Sequence, residues 1–263
     1  MDAIVIAVSS VTIIGVVCAA VISIAAKLMA VKTDERVACI EKYLPGTNCG
    51  ACGYPGCAGY AAALVADAGV NNALCTPGGA KVIEELIHIL GVEAGKAEGK
   101  IAVVHCRGDS TVHHKKMDYE GIKTCMAAKA LFGGEGACSF GCLGYGDCQT
   151  ACPSDAVCME NGLARVHRSL CTGCGLCVKA CPSRLITVED SSISTAVLCA
   201  NLEKGAVVRK KCVNACLGCR KCVRECPSGA LIVEDCLAGT DYEKCTGCGH
   251  CVQTCVTHCI QPV

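Results

Sequence analysis

Cys171-x2-Cys174-x2-Cys177-x3-Cys181-Pro182 sets three thiols three residues apart and a fourth before a proline. At that spacing three thiolates hold one [4Fe–4S] cubane and the fourth reaches over to a neighbouring one. The motif recurs as Cys216-x2-Cys219-x2-Cys222-x3-Cys226-Pro227 and as Cys245-x2-Cys248-x2-Cys251-x3-Cys255, the last followed by Val256 instead of proline. A tetrahedral zinc ion needs two CxxC pairs with a longer stretch between them, which these runs fit poorly. A membrane-tethered zinc-binding scaffold is thus the competing reading from a different class.

The chain repeats itself at an offset of 74 residues. Cys125, Cys138, Cys142, Cys148, Cys152, Cys171, Cys174, Cys177 and Cys181 fall on Cys199, Cys212, Cys216, Cys222, Cys226, Cys245, Cys248, Cys251 and Cys255. Self-similarity of this kind marks a duplicated unit, here a two-cluster ferredoxin-like module. Exchange of the fourth cysteine gives the first module one cluster on Cys138, Cys142, Cys148 and Cys181, and another on Cys171, Cys174, Cys177 and Cys152. The second module carries one on Cys216, Cys219, Cys222 and Cys255, and one on Cys245, Cys248, Cys251 and Cys226. Tyr145 stands in the first repeat where Cys219 stands in the second. Cys138 is therefore the expected substitute ligand, and Cys212 is either spare or an alternative to Cys219.

A fifth set lies upstream, Cys49-x2-Cys52-x4-Cys57 in a loop with Gly50, Gly53, Pro55 and Gly56, and Cys75 further on. Between them Tyr60 to Ala68 reads as an Ala-rich helix that returns the chain so that Cys75 meets the other three. Five four-iron cubanes imply about 20 Fe per chain. Cys106, Cys125, Cys158, Cys199, Cys236 and Cys259 fall outside complete motifs and read as buried small hydrophobes. A sixth cluster drawing on Cys106 and Cys125 is the alternative.

Arg209, Lys210, Lys211, Arg220, Lys221 and Arg224 crowd the entrance to the last module. An acidic ferredoxin could dock there by electrostatic steering, or the charges could simply offset those of the clusters. The seven histidines form no paired C-x-H boxes, and no G-x-G-x-x-G or P-loop is present, so no nucleotide site is assigned. No residue is needed as a general acid or base, because outer-sphere electron transfer makes and breaks no substrate bond.

The elements that position these thiols are small. Cysteine accounts for 29 of 263 residues, against six Tyr, two Phe and no Trp. With so few large core side chains, metal ligation supplies much of the folding free energy, and the apoprotein is expected to be poorly folded. Lys+Arg and Asp+Glu balance at 24 each, which together with the scarcity of aromatics argues against nucleic acid. Ala3 to Ala26 carries no charge and as a helix would be about 36 Å long against roughly 30 Å of hydrocarbon. It reads as a transmembrane anchor rather than a cleaved signal peptide. Lys27, Lys32 and Arg36 follow it, which puts the remainder on the cytoplasmic, reducing side.

With the uncharged segment, the CGACGYPGC loop with its distant cysteine, and the ferredoxin motifs in that order, the chain resembles the B subunits of Rnf complexes, in their longer form. The resemblance implies a membrane-bound ferredoxin:NAD+ oxidoreductase that moves Na+ or H+. In it such a chain would take electrons from soluble reduced ferredoxin and pass them to membrane and peripheral subunits, with NAD+ reduced elsewhere. A polyferredoxin arm of another membrane redox complex is the neighbouring alternative. The expected fold class is α+β: a single N-terminal transmembrane helix, a small helical four-cysteine domain and two tandem ferredoxin-like 2[4Fe–4S] modules. The expected boundaries are 1–30 for the anchor, 31–95 for the four-cysteine domain, 96–135 for a linker, and 136–190 and 191–263 for the modules.

Overall fold

The computed structural model describes residues 2–28, 34–67, 69–92 and 99–263. Lys32 and Ala68, and the expected boundaries near 30 and 95, lie outside them. Helix α1 covers Asp2–Leu28, and the transmembrane helix expected here needs correcting. No helix among the described residues is long and apolar enough to cross a membrane. What the chain does present is a mixture of small helices and strands.

Three helices build the four-cysteine unit: α2 (Glu35–Tyr43), α3 (Gly56–Ala66) and α4 (Gly79–Leu90). The Asp34 carboxylate starts α2 by accepting from the Arg36 amide at 2.9 Å, an N-cap that satisfies an otherwise orphaned donor. Gly91, in the left-handed conformation, ends α4. Ile40, Leu44, Tyr60, Leu64, Val82 and Leu86 interlock as the core, and Cys75 is buried among them.

The rest is two copies of one pattern, strand, two helices, hairpin, helix, strand. In the first, β1 (Lys100–Val104) pairs antiparallel with β4 (Ile186–Asp190). Between them come α5 (Cys125–Ala130), α6 (Asp147–Thr150), the hairpin β2 (Val157–Glu160) and β3 (Leu163–Val166), and α7 (Leu176–Ala180). In the second, β5 (Thr195–Val197) pairs with β8 (Ile260–Pro262) around α8 (Gly205–Val208), α9 (Lys221–Arg224), the hairpin β6 (Leu231–Glu234) and β7 (Leu237–Thr240), and α10 (His250–Thr254). Hairpins, α6 and α9, and α7 and α10 all keep the 74-residue offset. The opening strands do not: β1 lies in the stretch that the sequence reads as linker.

Alternation along β1 ties the copies together. Ala102 and Val104 face the core of the first copy, while Ile101 and Val103 pack on Ile193, Ala196 and Leu198 at the start of the second. The cysteine loops approach their hairpins closely. Gly144 has φ +80°, and a Cβ there would stand 2.7 Å from the Gly162 carbonyl oxygen. Its counterpart Gly218 has φ +64°, with the Cys236 oxygen 2.8 Å away. Only glycine meets both demands without strain. Gly218→Ala is expected to destabilise the iron-loaded protein by about 2 kcal/mol, read as a lower denaturant midpoint. An unchanged midpoint would show that the loop accepts a side chain.

Candidate iron–sulfur centres

In the four-cysteine unit, Cys49, Cys52 and Cys57 lie on the loop from α2 to α3, and Cys75 begins the turn before α4. The Asn48 side chain accepts from the Cys57 amide at 2.8 Å and so pins the loop to α3. Burial pushes the Cys75 thiol up to about 11, and Cys57, Cys52 and Cys49 push the same way. A thiol so placed needs a cationic partner to become a thiolate. The Lys179 ammonium donates to the Cys49 carbonyl oxygen at 2.8 Å, joining this unit to α7 of the first copy.

The second copy holds two cysteine cavities. Cys226, Cys245, Cys248 and Cys251 line one. Cys216, Cys219, Cys222 and Cys255 line the other, together with Cys259. The Cys259 thiol lies 3.5 Å from Cys255 Sγ, and its donation pulls the Cys255 thiol down to about 4.

In the first copy Cys152, Cys171 and Cys174 act on Cys177, whose thiol burial pushes up to about 11, and the Ala102 amide points at Cys171 Sγ, 3.3 Å away. The companion cavity is lined by Cys142, Cys148 and Cys181, and by Cys125. Cys138 is not among its lining residues. Tyr145 shows how Cys125 gets there. Its ring packs edge-on against Tyr119 at 5.9 Å, with the Lys123 ammonium over both rings, and so fixes the segment leading into α5. The Thr124 hydroxyl caps α5 by accepting from Ala127 N at 3.2 Å. The Asp147 carboxylate accepts from the amides of Cys125 and Met126 at 2.9 and 3.0 Å. The residue that displaces a ligand thus packs on the arm that supplies another.

Cys138 lies instead in a cavity between the copies, with Cys106, Cys199 and Cys212. This place has internal symmetry. Cys106 follows β1 by two residues and Cys199 follows β5 by two. The Cys142 amide points at Cys106 Sγ, 3.5 Å away, and its repeat counterpart, the Cys216 amide, points at Cys199 Sγ, 3.3 Å away. Asn201, only 1% exposed, donates from Nδ2 to Cys138 Sγ at 3.2 Å. Burial pushes the Cys106 thiol up to about 12 and that of Cys199 to about 11. The linear repeat aligns Cys199 with Cys125, whereas the folded chain matches it with Cys106.

All 29 cysteines are free, and the surroundings of these sets fit a cubane. Backbone amides already aim at sulfur. A hydroxyl residue also stands two positions after each fourth cysteine, a signal present in the sequence but outside the cysteine motif itself. Ser154 and Ser228 lie 3.6 Å from Cys152 and Cys226 Sγ, and Thr257 lies 3.8 Å from Cys255 Sγ. The fourth, Ser183, lines the Cys125 cavity with its buried oxygen unpartnered. Among the described residues no three His, Cys, Asp or Glu side chains close on a single metal ion. A cubane asks for something wider, since its thiolates attach to different irons.

Residues 44–72 match the family model described as "Putative Fe-S cluster", and 170–230 and 206–256 match two described as 4Fe-4S dicluster domains. The chain is 39% identical over 261 residues to the B subunit of the Na(+)-translocating ferredoxin:NAD(+) oxidoreductase complex of Acetobacterium woodii, covering 99% of this chain and 78% of that protein. It is 41% identical over 255 residues to the B subunit of the proton-translocating complex of Clostridium ljungdahlii, covering 96% and 90%. The chain belongs to the family of Rnf B subunits. The B subunit of the ion-translocating oxidoreductase complex of Methanosarcina acetivorans is 36% identical over 239 residues, covering 90% of each chain. As an Rnf B subunit the chain is an electron-transfer component with 4Fe–4S ferredoxin domains, the relay part of an oxidoreductase complex. In this Rnf protein the repeat counterpart of Asp147 is Lys221, in a copy that has no such arm to hold. Asp147→Ala is expected to cost about 2 kcal/mol, read as a lowered denaturant midpoint with faster iron loss to a chelator. Iron retention equal to wild type would detach Asp147 from the hold on Cys125.

Proposed function

We propose that this Rnf protein relays electrons from reduced ferredoxin to the other subunits of an ion-translocating ferredoxin:NAD+ oxidoreductase through six [4Fe–4S] clusters. The ligand sets are Cys49, Cys52, Cys57 and Cys75; Cys125, Cys142, Cys148 and Cys181; Cys152, Cys171, Cys174 and Cys177; Cys106, Cys138, Cys199 and Cys212; Cys216, Cys219, Cys222 and Cys255; and Cys226, Cys245, Cys248 and Cys251. The reading is carried by the gathering of cysteines in fours, in a chain that matches an Rnf B subunit over 99% of its length. A bound cubane supplies a one-electron carrier whose potential responds to burial and to hydrogen bonds at sulfur. The chain's own residues supply both, and they also link the sets. Lys179 clips the Cys49 loop to the first copy, and the amides of Cys142 and Cys216 tie the between-copy set to its neighbours on either side. Association with the membrane follows from such a complex, coupled to Na+ or H+, and free thiols suit its reducing cytoplasmic side.

Ferredoxin has a suitable landing place at α9. Arg220, Lys221 and Arg224 are exposed beside the exposed thiol of Cys219. Arg209 and Lys210 are exposed as well, but Lys211 is held by Glu203 at 2.5 Å. Arg220 has φ +58°, a left-handed conformation that the equivalent positions fill with Gly146, Gly175 and Gly249. An arginine kept where glycine would relieve strain points to use of its charge.

Two measurements check this reading. The anaerobically purified chain is expected to hold about 24 Fe with matching acid-labile sulfide, and Cys125→Ser and Cys138→Ser each to lose about four. Zinc without acid-labile sulfide would overturn the iron–sulfur reading, and full iron in Cys138→Ser would remove the between-copy cluster. Arg220→Gly is expected to stabilise the fold by about 1 kcal/mol while slowing reduction by ferredoxin and flattening its salt dependence. If rate and salt dependence match wild type, ferredoxin docks elsewhere.

A further inference from the structure

The cavity of Cys216, Cys219, Cys222 and Cys255 contains a fifth thiol that the ligand count leaves over. Cys259 is 2% exposed, and its Sγ lies 3.5 Å from Cys255 Sγ. The repeat supplies an internal control. At the offset of 74, Cys259 falls on Leu185, which is also 2% exposed and lines the equivalent cavity of Cys125, Cys142, Cys148 and Cys181. The surrounding backbone is the same in the two places: the Arg184 amide donates to the Cys181 carbonyl oxygen and the His258 amide to that of Cys255, both at 3.1 Å. Two cysteine sets of shared ancestry within one chain therefore differ at this position of the wall. One faces a hydrocarbon and the other a sulfur–hydrogen donor.

Once Cys255 is a cluster thiolate it has no proton to give, so of the two sulfurs 3.5 Å apart only Cys259 can be the donor. A donor bond to a ligand sulfur favours the more negative state of the cluster, which is the reduced one. We infer that Cys259 is a potential-setting residue: its thiol donates to Cys255 Sγ and makes the cluster of the second copy easier to reduce than its Leu185-walled counterpart in the first. The inference rests on the cluster reading above and adds an order of potentials to it. Between two clusters otherwise alike, the electron favours the one nearer α9.

The test is an EPR-monitored redox titration of the anaerobically purified full chain, with iron and sulfide counted on each sample. Cys259→Leu copies the wall of the first copy. It is expected to retain all its iron while one midpoint moves negative, so that at a fixed ambient potential the reduced-to-oxidised ratio of that cluster falls about tenfold, or ~59 mV for a one-electron couple. Cys259→Ser keeps a donor and is expected to stay nearer wild type. Leu185→Cys is expected to move a different midpoint positive. Unchanged midpoints in both Cys259→Leu and Leu185→Cys, with iron intact, would overturn the inference. So would loss of about four Fe in Cys259→Leu, since Cys259 would then be a ligand. Absence of iron and sulfide from the wild-type chain is a separate failure, that of the cluster reading itself.

Discussion

Four thiols must be brought to one place, and nearly every other feature of this chain answers to that demand. Thiols packed at this density raise one another's ionisation cost, as at Cys148, where burial pushes the thiol up to about 12 and Cys142, Cys125 and Cys181 add to it. The arrangement is unfavourable until cations of iron compensate it, so the clusters are part of the fold's stability as well as its function. The helices of the copies show the same dependence. α6, α9, α7 and α10 are four or five residues long, far below the length at which a helix persists alone. They serve as short spacers that set one cysteine at a fixed distance from the next.

Much of this was legible because the cysteine motif is local. Three thiols within seven residues share one loop, and the cavity lined by Cys226, Cys245, Cys248 and Cys251 gathers the four that spacing alone puts together. The offset of 74 carries more than cysteines: the hairpins beginning at Val157 and Leu231 keep it too. Cys125 and Cys106 were not legible in the same way, because each arrives by a tertiary route. Cys125 reaches its cavity through an arm held by Tyr119, Tyr145 and Asp147, none of which belongs to a cysteine pattern. Cys106 is placed by the pairing of β1 with β4, a contact across more than eighty residues, and the stretch holding β1 has no motif to distinguish it from a linker. At the amino terminus the uncharged run suggested a membrane crossing. The structure gives α1, without a described helix long and apolar enough to make one.

Duplication explains why the between-copy set exists. Each copy on its own brings two cysteines to the contact face, one just beyond its first strand and one four residues before its cysteine loop. Two are too few to hold a cubane, but Cys106 and Cys138 face Cys199 and Cys212 across that contact, and together they make four. The apolar seam of Ile101, Val103, Ile193, Ala196 and Leu198 holds the copies in that register. A cluster there would cross-link two halves that otherwise meet through a modest patch of side chains, and would convert two separate carriers into one continuous path.

The same duplication leaves the copies free to diverge in the residues that tune rather than hold. Ligand cysteines are constrained in both, since losing one removes a cluster. Wall positions are not, and there the copies differ: Leu185 against Cys259, Gly146 against Arg220, Asp147 against Lys221. Each difference changes a donor or a charge near a cysteine set, and Asp147 in addition holds the Cys125 arm. Asp147 adds negative charge beside the first copy's set, whereas Cys259, Arg220 and Lys221 add a donor or positive charge beside the second's. Of these, the Cys259 donor beside Cys255 favours the electron on the second copy. An electron chain built from duplicated modules can thus acquire a gradient through side chains that no ligand motif records.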